Sequence, residues 1–456
     1  MDYREFLDSK SQLEGMAGFK PVWMPDFLMD FQGFIDDYAI RKGRAAIYAD
    51  CGLGKTPMQL VWSQNVVEYT NKRVLIAAPL GVVGQTCAEG EKFGIKCQRS
   101  QDGKIGGPGI YVTNYERLHY FNCNDFVAMV CDESGGIKDM KSKRSAAVIE
   151  FMRRLPYRLL CTATPAPNDF VELGTSAEAL GEMGYQDMIS KFFKQITTKD
   201  YLGWGRTKYK LREYAKTNFW RWICSWSRSC RKPSDLGFDD VRFILPELVT
   251  EEHHVKPNEV SPGWLFDVPA ETLHEQRQEA RRTLNERCEM AAELANATDG
   301  PSICWAHLND EGDLMEKLVK DCVQVSGSDS DDAKEEKLLA FANGSIKNLV
   351  TKLEIAGYGL NFQHCAHQTY FPAHSFERWY QGVRRSWRFG QTKPVKIDVV
   401  TTEGGAGVLA NLQRKAAQCE WMFTELVRLM NDSLKVDRIR YGTEKENTPS
   451  WLTSPN

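Results

Sequence analysis

Ala49–Thr56 reads A-D-C-G-L-G-K-T, and this stretch decides the architecture. It follows A-A-I-Y-A, a run of consecutive apolar residues, and precedes M-Q-L-V-W, a helical pattern. A glycine-rich turn between a strand and a helix is the context in which a P-loop works. Backbone amides face a phosphate there, and the helix N-terminus favours negative charge. Ala49 stands where the pattern has its first glycine. Gly52 and Gly54 free the backbone for close approach, Lys55 would reach the β and γ phosphates of a nucleotide, and Thr56 would hold Mg²⁺. The plainer alternative is a glycine-rich turn that binds nothing.

Further apolar runs surround this loop: Ala45–Ala49, Val74–Ala78, Ile110–Thr113, Val127–Cys131 and Leu159–Thr162. Each suits a strand covered on both faces of a parallel sheet, and each ends in a polar or glycine-rich turn where open α/β sheets bind ligands. From about Gly174 to Pro246 the alternation stops, and the segment reads as inserted and mostly helical. A charged helix over Ala270–Ala297, with Leu273, Ala280, Leu284 and Cys288 as a thin apolar stripe, reads as a connector. Strand-like runs resume at Ser302–Ala306, Asn348–Lys352, Thr369–Phe371 and Val395–Thr401, and a final helix spans about Val408 to Met430.

The 456 residues suit two or three domains, and 42% apolar with 26% charged is an ordinary globular balance. A net charge of -3 excludes a global basic field, so a nucleic-acid partner needs a local groove. Thirteen cysteines without a C-x-x-C pair argue against a zinc framework and for reduced thiols. No apolar run is long enough for a bilayer, so no membrane partner is expected.

M-V-C-D-E-S closes the fourth run. Asp132 can complete a Mg²⁺ shell and Glu133 can orient and deprotonate an attacking water. Alone, such a pair is more often a solvated strand end; its order after a P-loop raises its weight. L-L-C-T-A-T-P closes the next run, where Thr162 and Thr164 could couple the acids to movement, or simply cap a turn with Pro165.

In this order, A-D-x-G-L-G-K-T, D-E-S and T-A-T-P resemble superfamily 2 helicases, and among them the Swi/Snf-type DNA-dependent ATPases. L-M-D-F-Q, A-A-P-L-G-V-V and V-T-N-Y-E are further echoes. The resemblance implies an adenine-reading Gln32 and a nucleic-acid path at Pro79, Leu80, Thr113 and Tyr115. The chain departs from the family at D-E-S-G-G-I-K, where an alanine–histidine pair more often follows the acids.

Q-G-V-R-R-S-W-R-F-G-Q, Gln381 to Gln391, resembles the sixth motif of the same family. The match places two arginines from a second lobe at Arg385 and Arg388 in the ATP site, with Gln381 beside the nucleotide. A planar, always-charged fork suits charge building on a transferred phosphoryl group. Arg384, off the pattern, reads as a nucleic-acid or surface contact, and Trp387 stands where the family more often has histidine. A basic helix face is the alternative for all three arginines. A-G-Y-G-L-N-F-Q resembles the fifth motif, with Gly357 and Gly359 turning near the nucleotide and Asn361 and Gln363 on the nucleic acid; a bare glycine turn is the alternative. T-K-Y-K-L-R-E-Y-A-K and S-R-S-C-R-K-P-S-D-L are basic with interleaved aromatics, suited equally to a nucleic-acid strand and to a solvated helical face.

The expectation is therefore an α/β protein of two RecA-like parallel-sheet lobes in tandem. Residues 1–245 form the first, ATP-binding lobe, with a helical insertion over about 174–245. Residues 246–299 are a helical connector, 300–403 the second lobe, and 404–456 a C-terminal helix and tail. The resemblance implies an ATP- and Mg²⁺-dependent translocase on double-stranded DNA, in a compact bacterial or phage form working as a cytoplasmic monomer. The insertion or the C-terminal helix could recruit protein partners. Alternatives are a strand-separating DNA or RNA helicase, an ATP-gated nucleic-acid clamp, and a small-molecule P-loop kinase, which would leave the second lobe unexplained.

Overall fold

The computed structural model describes residues 16–199, 205–257, 273–356 and 361–442. In the first lobe α1 (Asp30–Lys42) leads into β1 (Arg44–Ala49), α2 (Lys55–Thr70), β2 (Arg73–Ala78), α3 (Val83–Lys92), β3 (Cys97–Arg99), β4 (Gly109–Asn114), β5 (Ala128–Asp132), α4 (Lys143–Arg153) and β6 (Tyr157–Cys161). Then come α5 (Leu173–Leu180), α6 (Tyr185–Phe192), β7 (Phe193–Lys199), β8 (Gly205–Leu211), α7 (Lys216–Cys224) and β9 (Ser227–Cys230). Seven of these strands form one sheet in the order β3-β4-β2-β5-β6-β1-β9, with every neighbouring pair parallel. The apolar runs are buried nearly throughout, as strands covered on both faces must be. Because β5, β6 and β1 are adjacent and parallel, the loops after Ala49, Asp132 and Cys161 emerge side by side.

The second lobe comprises β10 (Leu248–His254), α8 (Leu273–Arg282), α9 (Leu284–Asn296), β11 (Ser302–Ala306), α10 (Asn309–Leu318), β12 (Cys322–Val325), α11 (Asp331–Ala342), β13 (Asn348–Lys352), α12 (Leu353–Ala356), β14 (His367–Tyr370), α13 (Phe376–Ser386) and β15 (Val395–Thr401). Its parallel sheet runs β10-β15-β14-β11-β13-β12. The last described element is α14 (Ala406–Gly442).

Three segments differ from expectation. The stretch after Gly174 is not mostly helical: β7 and β8 form an antiparallel hairpin, and β9 is the edge strand of the first sheet beside β1. β9 escapes detection because serine and cysteine, rather than β-branched residues, fill its buried positions Ser227, Ser229 and Cys230. The stretch read as a connector supplies β10, a half-exposed edge strand whose T-E-E-H-H run is polar for that reason. The charged helix breaks at Thr283, whose hydroxyl donates to the Glu279 carbonyl at 2.8 Å and accepts from Arg287 Nε at 3.0 Å. Beyond the break, α9 packs Cys288, Ala291 and Ala292 against Cys304, Ala306 and Val400, so it is a layer of the second lobe.

α14 runs back over the first lobe. Lys415 Nζ donates to Asn168 Oδ1 at 2.8 Å, Trp421 packs near Phe170 and Trp220, and Asn431 Nδ2 donates to the Asp235 carbonyl at 2.8 Å. Its apolar side, including Met422, Leu426 and Met430, is buried within the chain. Among the described residues no helix is long and apolar enough to cross a membrane.

Asp398 on β15 anchors the second sheet's far edge. It accepts from His253 at 2.7 Å, His367 at 2.8 Å and Lys396 at 3.2 Å. Burial pushes its carboxyl up, but these hydrogen bonds outweigh it and hold it down at about 2. An acid depressed on folding stabilises above its unfolded value near 4 and loses that contribution as pH falls through its folded value. Asp398→Asn should therefore cost about 2 kcal/mol at pH 7. Urea unfolding of wild type and variant should differ most at neutral pH and converge as pH falls towards 2.

Candidate active site

The P-loop turns on two left-handed glycines. Gly52 has φ 86°, and a Cβ there would lie 3.3 Å from the Phe389 amide nitrogen of the second lobe. Gly54, at φ 77°, caps α2 and lies against the Gln32 carboxamide. Gln32 is buried, donating to the Leu53 carbonyl at 2.9 Å and accepting from the Met29 amide at 3.0 Å, so it braces the loop from α1. Lys55 Nζ folds over the loop onto the carbonyls of Ala49, at 3.0 Å, and Asp50, at 3.3 Å. Thr56 opens α2 at the same rim.

Asp132 ends β5 in full burial. Loss of solvent, and then the Glu133 charge, push its carboxyl up to about 7, while Lys55 pulls the other way. Glu133 sits at φ 50°, a left-handed conformation rare outside glycine, which turns its side chain out of line with the strand. Its Oε2 accepts from Thr162 Oγ1 at 3.2 Å and from Gln381 Nε2 at 3.5 Å. The threonine after β6 thus holds the acid after β5, and a second-lobe glutamine holds it from across the cleft.

The second lobe enters through α13, started by Ser375, whose side chain accepts the Arg378 amide. Glu377, Tyr380, Gln381, Arg384 and Arg385 recur at the three- and four-residue spacing of one helix face, and Arg388 follows in the turn. That face meets the first lobe. Glu377 pairs with Lys138, Tyr380 hydrogen-bonds Asp50, and Arg384 pairs with Asp50. Arg384 is therefore not a surface contact: it is buried, and burial together with Arg388 lowers its pKa to about 9. Its pattern-breaking position carries an inter-lobe ion pair instead. Arg388 bonds Asn361 and is lowered by burial and by Arg385.

A cavity of about 160 Å³ lies between the lobes, lined among others by Lys55, Thr56, Asp132, Glu133, Arg385 and Arg388. Buried around it, with no hydrogen-bond partner among the described residues, are Nε of Arg384 and Arg388 and Oε1 of Gln381. Guanidinium and ammonium groups facing loop amides suit a polyphosphate, and Thr56 with Asp132 offers the oxygen donors a hard divalent cation takes.

The residues expected on a nucleic-acid path are dispersed. Leu80 is about half exposed beside half-buried Pro79, whereas Thr113 and Tyr115 are buried. Tyr115 donates to the Asp132 carbonyl at 2.6 Å, which ties it to the acid pair. Asn361 and Gln363 turn to Arg388 and the Phe389 carbonyl within their own lobe. Gly357 and Gly359 lie outside the described residues. Reading the motifs one by one missed Asp50, Lys138, Glu377 and Tyr380; the polar periodicity of α13 was the available signal for the last two.

No known protein-family model matches the sequence, and no curated protein matches it. Among solved structures the chain is similar to S. cerevisiae Dbp5 bound to RNA and ADP BeF3. That match has a TM-score of 0.52 and 14% identity, over 88% of this chain and 98% of that one. A single-residue variant of Dbp5, with the same ligands, gives 0.51 and 14%, over 85% and 92%. The Sulfolobus solfataricus SWI2/SNF2 ATPase core in complex with dsDNA gives 0.41 and 16%, over 91% and 96%. The likeness to Dbp5, with the two parallel sheets, shows the fold: an α/β protein of two RecA-like parallel-sheet lobes in tandem.

Proposed function

We propose that the protein is a nucleic-acid-dependent ATPase of the helicase/translocase class, hydrolysing ATP between its lobes to move along double-stranded DNA. One observation carries the reading: Lys55, Asp132 and Glu133 of the first lobe and Arg385 and Arg388 of the second line a single cavity. Loop amides and Lys55 bind the phosphates, and Gln32 reads the base. Mg²⁺ held by Thr56 and Asp132 would neutralise charge on the β and γ phosphates. Glu133, steadied by Thr162 and Gln381, orients a water and takes its proton. Arg385 and Arg388 meet the charge that builds on the transferred phosphoryl group, so hydrolysis requires the lobes to be together.

The β7–β8 hairpin supports a polyanionic partner. Lys194 lies opposite Lys210 in the ladder and Lys208 two positions on, all three exposed. Like charges directly opposed destabilise a hairpin, and a phosphate backbone relieves that repulsion. Duplex DNA follows from the resemblance of the motifs to Swi/Snf-type ATPases.

Glu133→Gln should slow ATP turnover by about 10²–10⁴-fold with nucleotide affinity retained. Arg388→Ala should lose about 10³-fold or more. Unchanged turnover in the glutamine variant would favour an ATP-gated clamp instead.

ATP turnover should rise with duplex DNA and less with single-stranded DNA or RNA. Equal rates with and without every nucleic acid would rule out a motor. Release of a labelled strand from a duplex in the same samples would convert the translocase into a strand-separating helicase.

A further inference from the structure

Two ion pairs cross from the first lobe to α13. Near its start Glu377 meets Lys138; two turns on, Arg384 meets Asp50, which also takes the Tyr380 hydroxyl. Seven residues separate the two attachments, about 10 Å along the helix axis. Both are enclosed, with side-chain exposures of 24% and 8% for Lys138 and Glu377 and 4% and 9% for Arg384 and Asp50. Asp50 is itself fixed, because its Oδ1 accepts the Cys51 amide at 2.6 Å inside the P-loop. Gly135 leaves room for Glu377 in its present rotamer: a Cβ there would lie 2.5 Å from the Glu377 carboxylate, which would have to shift. The G-G-I-K that departs from the family's usual residues thus has a local use, a gap for Glu377 and a cation to meet it.

A buried ion pair adds little net stability over an apolar replacement, yet removing one partner leaves a costly unpaired charge. Its value lies in geometry. One attachment lets a helix pivot and roll; two, spaced along one face, fix its rotation and its position along the axis. Gln381 projects between them onto Glu133, and Arg385 and Arg388 line the cavity beside them.

We propose that Asp50 and Lys138 are positioning residues that hold α13 in register, so that Arg385 and Arg388 are presented to the P-loop. The catalytic consequence rests on the ATPase reading above; the attachment does not. Asp50 therefore has a second task within the P-loop: it is the first lobe's receptor for the arginine helix.

Asp50→Asn keeps the shape and an acceptor for Tyr380 but removes the charge. Lys138→Glu and Glu377→Lys each reverse one partner, and together they restore an opposed pair. Each single variant should slow ATP turnover by about 10²-fold, the scale of a misplaced catalytic group. In Lys138→Glu and Glu377→Lys, which lie outside the P-loop, ADP binding by calorimetry should stay near wild type. Combining Lys138→Glu with Glu377→Lys should recover most of the rate. Amide exchange along α13 should quicken in the singles and slow again in the combined variant, a recovery that general destabilisation does not produce. Unchanged turnover and exchange in the singles would overturn the proposal, as would a combined variant no better than its weaker parent. If a reversal variant fails to fold by thermal melting, Asp50→Asn decides alone. Wild-type protein without ATP turnover would sink the ATPase reading only, since amide exchange still reports the attachment.

Discussion

Parallel pairing is the constraint on which everything else rests. A parallel ladder sends every strand in one direction and forces the chain to cross back outside the sheet, so all turns that follow the strands collect along one edge. With β5, β6 and β1 adjacent, that edge gathers the P-loop, the acid pair and Thr162 side by side, and Thr162 hydrogen-bonds Glu133 there. The second lobe repeats the device and contributes the helix and turn that carry its arginines. The chemistry is therefore assembled by backbone direction before any side chain is chosen, and the side chains then exploit a proximity already imposed.

The cost of that proximity is electrostatic. Asp132 and Glu133 crowd one another in burial, and Arg384, Arg385 and Arg388 crowd together across the cleft. Lys55 draws the Asp132 carboxyl back down, and the acids line the same cavity as the arginines. Asp50 absorbs Arg384, which leaves the cavity to the remaining cations. A cleft poised in this way favours a polyvalent anion that brings its own counter-ion, since such a ligand answers both clusters at once.

Much of this was legible from residue order. Strands buried on both faces announce themselves as unbroken apolar runs. The motifs expected at their ends and on the second-lobe helix placed Lys55, Asp132, Glu133, Arg385 and Arg388, which the fold brings to one cavity. Edge strands did not announce themselves. β9 is built of small polar residues, and β10 alternates too weakly for its half-exposed face to show. The break at Thr283 carries no local signal, since the bond its hydroxyl makes to the Glu279 carbonyl also occurs at Thr424 inside an unbroken helix. Partners across the lobes were hidden for a different reason. Asp50 and Arg384 are 334 positions apart, and nothing local to either residue marks the other as its counterpart.

The long terminal helix has a mechanical consequence. The chain passes from the first lobe to the second between β9 and β10, and α14 carries it back onto α7 and β9. Two bodies joined at one point can swivel in any direction, whereas bodies joined at two points keep only rotation about the line through both. If the helix holds, any opening of the cleft is the swing of a door on two hinges. Its arc is then set by where those hinges lie rather than by what the cleft contains.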